Sequence, residues 1–254
     1  MTALGVRMWL DNESQEIIDS FWRLTGEQEA FPRTLERSIS LALPVALVKL
    51  PRLDLSTIEN WLLRRNVQYL FDCENRAVCG CLVAFGGKGI VFVDGTDSLN
   101  ELRFTVAHEI AHFLVDYWQP RNKASIKYGP SILEVFDGLR DPSIDERVYS
   151  IISGTLIGLF TDLMERRSQN ELNETWQVEN KADKVALALL APPEAVYKVT
   201  DISSRSFAER KREIVSALVS VFGLTDYVAS PYGTDLLKLI GKGPSWAESL
   251  RLAI

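Results

Sequence analysis

Histidine is almost missing from this chain: 254 residues contain two, beside 34 acidic and 28 basic side chains. Cysteine is scarce too, with three, Cys73, Cys79 and Cys81, in one short stretch. An odd, crowded set does not make the disulfide framework of a small secreted domain, so reduced thiols are expected. No apolar run approaches the ~20 residues of a membrane-spanning helix, and no basic start followed by a long apolar run opens the chain. The reading is a soluble, cytoplasmic protein with no membrane partner. A net charge of -6 argues against non-specific coating of nucleic acid, which depends on many Lys and Arg neutralising phosphates. A local basic patch, and with it a nucleic-acid signal, stays open. What the chain does have is 46% hydrophobic residues, enough to fill a core in one large or two modest domains.

Residues 13 to 66 read mostly as helix, with apolar positions such as Ile17, Ile18, Phe21 and Trp22, then Ile58, Trp61, Leu62 and Leu63. Pro32, Pro44 and Pro51 cut this region into short pieces. From 67 to 94 the period changes to two. VQYLFD, RAVCGCLVAF and GIVFVD predict three short strands in a small antiparallel sheet, the last two joined by the Gly-Gly-Lys-Gly turn at 86–89. Ser98 with Glu101 three residues later predicts a capping box, opening a helix that runs to about Trp118 and stops before Pro120. Its buried stripe is Leu102, Val106, Ile110 and Leu114. Residues 131 to 167 again read as largely helical. A further apolar-periodic helix spans 177–191, with Val178, Ala182, Val185, Ala186 and Leu189 inward, and ends at Pro192 and Pro193.

Both histidines fall in one motif, H-E-I-A-H at 108–112. Residues i and i+4 share a helix face, so His108 and His112 can reach one metal ion from adjacent turns, with Glu109 beside it as the catalytic base. Zinc in such a site lowers the pKa of water toward neutrality and so supplies a nucleophile for an amide carbonyl. A catalytic zinc usually takes three protein ligands, and no histidine is left. The third must be a carboxylate or a thiolate. Glu179 is the leading candidate, because it begins a helix on which Asp183 follows on the same face. The first could bind metal while Asp183 accepts a hydrogen bond from a ligand imidazole. Glu171, Glu174 and Asp116 remain alternatives, and Tyr117, Arg103 and Tyr128 are candidates for stabilising an oxyanion.

The string LRFTVAHEIAHFLVDY, preceded by GIVFVDG and followed by ENKADKVALALLAP, resembles the ImmA/IrrE family of bacterial zinc metallopeptidases. Within it the layout is most similar to the CapP branch associated with CBASS anti-phage defence. The resemblance covers about 67 to 195. It implies an α+β, zincin-like core of gluzincin type, with Zn2+ held by His108, His112 and Glu179, Glu109 as base and Asp183 behind the ligands. It also implies an endopeptidase that cleaves a helix-turn-helix transcription repressor and so induces a stress or anti-phage operon. The stretch between His112 and Glu179 is longer than a compact member needs. The expected organisation is a helical region at 1–66, the core at 67–195 with a helical insert at about 121–175, and a helical region at 196–254.

Cys79 and Cys81 stand two apart on a predicted strand, hence on one side of the sheet. A thiolate there, Cys81 before Cys79, could occupy the metal's open position and make the enzyme redox-responsive. The alternative is a buried structural thiol. The tail, AERKREIVSALVSVFGLTDYVASPYGTDLLKLI, has the outline of a helix-turn-helix, although Pro231 should break or kink its second helix. Arg210, Lys211 and Arg212 could touch DNA or an acidic partner, or form a solvated face. Two other readings are compatible with the motif: a broad-specificity peptidase, and a zinc-containing regulatory protein that binds without cleaving.

Overall fold

A computed structural model describes residues 9–153, 158–166, 181–204 and 206–245. It is α+β. The order is α1 (Asn12–Thr25), α2 (Glu36–Ala42), β1 (Val45–Leu50), α3 (Leu55–Leu63), β2 (Val78–Phe85), β3 (Lys88–Asp94) and α4 (Leu99–His112). A π-helical segment (Phe113–Trp118), α5 (Gln119–Tyr128), α6 (Ile132–Phe136), α7 (Ile144–Ser153) and β4 (Phe160–Glu165) come next. After these stand α8 (Lys181–Leu190), α9 (Pro193–Val199), α10 (Phe207–Ser220) and α11 (Asp226–Leu239).

Among the described residues the sheet has four strands in the order β1-β3-β2-β4 and is mixed: β1 runs parallel to β3, and the other two pairs are antiparallel. This corrects the three-stranded antiparallel sheet expected from the sequence. VALVKL is a strand although its surroundings read as helix; a six-residue run between Pro44 and Pro51 is too short for a helix, and its residues are half-buried or, at Ala46 and Lys49, exposed, as suits a strand at the end of the strand order. VQYLFD is not a strand. The free edge of β2 is taken by β4, so residues 67–72 find no ladder and pack as a loop, with Val67, Tyr69 and Phe71 against the sheet and the Phe71 amide bonded to Glu59 Oε1 at 2.8 Å. β4 itself lies in a region that reads as helical.

Pleating sorts the strands into two faces. Leu82, Ala84, Val91 and Val93 join α4 in the larger apolar cluster, while Val78, Cys81, Val83 and Phe92 meet Leu55, Ile58 and Leu62 of α3 in the smaller. The larger cluster runs from Ile17 in α1 to Leu237 in α11, so the helices at both ends share a core with the sheet. The hairpin turn uses Gly86 at φ 57° and Gly87 at φ 72°, the left-handed pair that a two-residue turn demands.

The capping box is present: Ser98 Oγ accepts from the Glu101 amide at 3.3 Å, and Glu101 Oε2 accepts from the Ser98 amide at 2.9 Å. The helix does not stop before Pro120. Its ladder widens over Phe113–Trp118, the Gln119 N–H reaching back five residues to the Leu114 carbonyl, and it then continues as α5. Wider winding relieves the clash between a proline ring and the carbonyl four residues back, which is what ends ordinary helices at proline. Pro231 is likewise kept inside α11, where Val228, Tyr232, Leu236 and Leu237 are buried. At about 1.5–3 kcal/mol per large apolar side chain, this burial outweighs the ~3 kcal/mol an internal proline costs.

Candidate metal centre

α4 lies against β2 and β3 because two glycines let it. A Cβ on Gly80 would stand 2.5 Å from Thr105 Cγ2 and 2.7 Å from Glu109 Oε1, and one on Gly89 would stand 2.9 Å from the Phe113 ring. The approach presses Glu109 under β2 with no exposure to solvent. Among the described residues, neither carboxylate oxygen of Glu109 has a hydrogen-bond partner. Burial drives its pKa well above the usual carboxylate range and Asp162 adds to the effect; the amides of Leu82 and Met164 pull the other way without reaching bonding geometry.

The imidazoles of His108 and His112 emerge beside it with ring centres 4.6 Å apart. Each is held from behind. His108 Nδ1 is 3.1 Å from Asp183 Oδ1 on α8, and His112 Nδ1 is 2.7 Å from Asp116 Oδ2 in the π-helical segment. An ionised carboxylate only accepts, so each Nδ1 carries the proton and each Nε2 keeps a bare lone pair. Both Nε2 atoms face Asp162 Oδ2 on β4, at 3.9 Å from His108 and 3.6 Å from His112. His108, His112 and Asp162 together could hold a metal ion. Burial opposes the charged form of His112, but Asp116, then Asp162, raise its pKa on balance. Carboxylates that attract a proton to this site would attract a cation as well.

Of the residues singled out in the sequence, the structure brings His108, Glu109, His112 and Asp183 together. Glu179 lies outside the described residues, as do Glu171 and Glu174. Asp116 stands behind His112 at Nδ1 rather than on the metal side. Asp162 was missed. The only signal for it is the alternation in FTDLME, where Phe160, Asp162 and Met164 share a face, and that signal is too short to separate strand from helix.

The thiols go elsewhere. A bulge at Cys79 breaks the two-residue period, pairing Val78 with Glu165 and Gly80 with Met164, so Cys79 and Cys81 do not share an environment. Cys81 is buried in the α3-side cluster, and Cys79 Sγ lies 3.8 Å from the Glu165 carbonyl. Burial raises both pKa values, that of Cys79 to about 11, which keeps them protonated. Neither lies in the His108–His112–Asp162 group. The proposed oxyanion stabilisers are also committed away from it. The Tyr117 hydroxyl accepts from the Gly87 amide at 2.8 Å, Arg103 Nη1 donates to Asn100 Oδ1 at 2.7 Å, and Tyr128 packs on the small cluster of Ala124, Ile132 and Phe136. In the tail, Arg210 donates to the carbonyls of Ser204 and Lys242, so it is a strut there.

A cleft of about 470 Å³ between α1 and α9, lined by Trp9, Trp22, Arg33 and Lys198, includes none of these residues. Among the described residues no helix is long and apolar enough to cross a membrane. Compared with protein-family models, with curated proteins and with solved structures, the chain matches none.

Proposed function

We propose that this chain is a zinc-dependent endopeptidase with a zincin-like core of gluzincin type. The observation that carries the reading is the paired anchoring of the imidazoles. Asp183 and Asp116 fix both Nδ1 atoms, leaving the two Nε2 atoms converging next to a buried carboxylate that has no hydrogen-bond partner among the described residues. A histidine pair serving only the fold has no use for that arrangement, whereas a metal ligand pair needs it. The donor set of two neutral imidazoles and a carboxylate is one that zinc favours.

Zinc in this position supplies Lewis acidity toward an amide carbonyl and toward water. Glu109 accepts the proton of the attacking water and returns it to the leaving amine. Asp183 and Asp116 hold the tautomers, and β2 above Glu109 keeps bulk water from its far side. Glu179 would provide the third ligand, with the Asp162 carboxylate close by. The substrate we propose is a helix-turn-helix repressor, on the strength of the resemblance of LRFTVAHEIAHFLVDY and ENKADKVALALLAP to the ImmA/IrrE family.

The test is to load the purified chain with zinc, count the metal, and incubate it with the repressor-like protein encoded beside it. About one zinc per chain and a defined cut, lost with chelator and with Glu109→Gln, are expected. A chain that takes up no zinc would sink the reading. Zinc uptake with a biological effect that survives Glu109→Gln would point to a regulatory protein that binds without cleaving, and equal digestion of unrelated unfolded proteins to a broad-specificity peptidase.

A further inference from the structure

β4 occupies the outer edge of β2, the strand that lies over Glu109. A peptide that is to set a carbonyl between Glu109 and the two Nε2 atoms has a ready track there, since an open strand edge binds an extended chain by completing its ladder. β4 fills that track in antiparallel register, with Ala84 opposite Phe160, Leu82 opposite Asp162 and Gly80 opposite Met164. The residue it turns toward the imidazoles is Asp162, 3.9 and 3.6 Å from their Nε2 atoms. Ligand atoms about 2.0–2.2 Å from a tetrahedral zinc stand roughly 3.3–3.5 Å from one another, so Asp162 is close to ligand distance.

We propose that β4 is an internal stand-in for substrate. Asp162 acts as a removable ligand that closes the metal site, and the true substrate is an extended segment that displaces β4 and runs antiparallel to β2. The proposal rests on the peptidase reading above. If His108, His112 and Glu179 are the permanent ligands, as proposed above, Asp162 would be a fourth and would leave no open position. Its withdrawal restores three and opens one.

β4 has the character of a strand that can leave. It is six residues long, none of them buried, whereas β2 is buried at Val78 and from Gly80 to Ala84. Such short, half-exposed ladders open locally at the low end of the stability range. Its fastenings lie away from the metal side chains: Arg166 to Asp94 and Asp97 at 2.8 Å each, Arg76 to Glu165 at 2.7 Å, and Thr161 to the Tyr69 hydroxyl at 3.3 Å.

The experiment uses the zinc-loaded full chain, with Asp162→Ala and Arg166→Ala as variants. It reads zinc retention against a chromogenic chelator, hydrogen exchange of residues 160–165 with and without a peptide hydroxamate, and cleavage of an unstructured fluorogenic peptide. Asp162→Ala should hold zinc within about tenfold of the natural chain and cleave about tenfold faster or more, as expected if β4 is closed in at least nine molecules of ten. Arg166→Ala, which touches no metal-site residue, should speed exchange at 160–165 and raise cleavage by a smaller factor. Hydroxamate binding should expose 160–165 to exchange in the natural chain. Loss of zinc by more than about a hundredfold together with cleavage in Asp162→Ala would make Asp162 a required ligand and overturn the proposal. So would unchanged cleavage with zinc retained, or a bound hydroxamate with 160–165 still protected. Absence of zinc from the natural chain, by contrast, removes the peptidase reading itself.

Discussion

Asp94 and Glu109 are both withdrawn from water, and the protein treats them in opposite ways. Asp94, at the end of β3, accepts from the amides of Arg52, Leu53 and Thr96, from the Thr96 hydroxyl, and from Arg166. Glu109, under β2, accepts from none of the described residues. A buried carboxylate with five donors is a fastening, joining the exit of β1, the exit of β3 and the residue after β4. One with none costs stability that a fold alone has no reason to spend, and it sits beside the only two histidines in the chain. The comparison separates the part of the molecule that holds shape from the part that is held in readiness.

The sharpest way to break the comparison is to neutralise both carboxylates. Glu109→Gln should lower cleavage by about 10²–10⁴-fold while leaving zinc content and thermal stability nearly unchanged, because no hydrogen bond of the Glu109 carboxylate with the described residues is lost. His112→Ala should lose most of the zinc as well. A clear drop in melting temperature in Glu109→Gln would show that Glu109 is a fastening after all. Asp94→Ala should do the reverse, costing about 3–5 kcal/mol in denaturant unfolding by stranding its donors and Arg166, with zinc still bound. Smaller effects are expected behind the imidazoles: Asp183→Asn and Asp116→Asn should each weaken zinc about 10–100-fold in chelator competition and leave unfolding almost unaltered. Equal zinc affinity in all three proteins would mean the Nδ1 contacts are incidental.

The weakest effect is acid dependence. Burial works against the Asp94 carboxylate, but the bonds from Thr96, Leu53 and Arg52 hold its pKa below the ordinary value. Its folded value being the lower one, the stabilisation is complete above the unfolded pKa near 3.9 and fades as pH falls through the folded value. Unfolding curves of the natural chain and Asp94→Asn should therefore draw together below about pH 4, and a constant gap down to pH 2 would refute the assignment.

Much of the site could be read from sequence because its parts are local. H-E-I-A-H fixes three side chains on one helix, the Ser98–Glu101 box starts that helix, and Asp183 sits at a readable position on α8. Asp162 could not be read, because its strand exists only through a partner far away in sequence, and six half-polar residues carry no period that distinguishes an edge strand from a helical turn. β1 was hidden because VALVKL, with Lys49 as its single polar residue, lacks the alternation that identifies a half-buried strand. The bulge at Cys79 takes the two cysteines off the shared face their spacing predicts, and the pleat that turns Gly80 and Leu82 toward α4 turns Cys81 toward α3.

The π-helical stretch after His112 makes the length of this arm a matter of phase. An ordinary helix turns about 100° per residue, and Phe113–Trp118 fits its residues into a slower winding. Deleting Val115 would leave the arm almost as long, yet it would rotate every later side chain around the axis. Asp116 would swing away from His112, Tyr117 would miss the hairpin turn, and Pro120 would meet a carbonyl it now clears. Insertions and deletions are ordinarily harmless in loops and merely costly in helices. Here a single lost codon would unset the candidate ligand His112, the sheet turn and the outgoing helix at once, so chains of this kind should vary in length almost anywhere before they vary between His112 and Pro120.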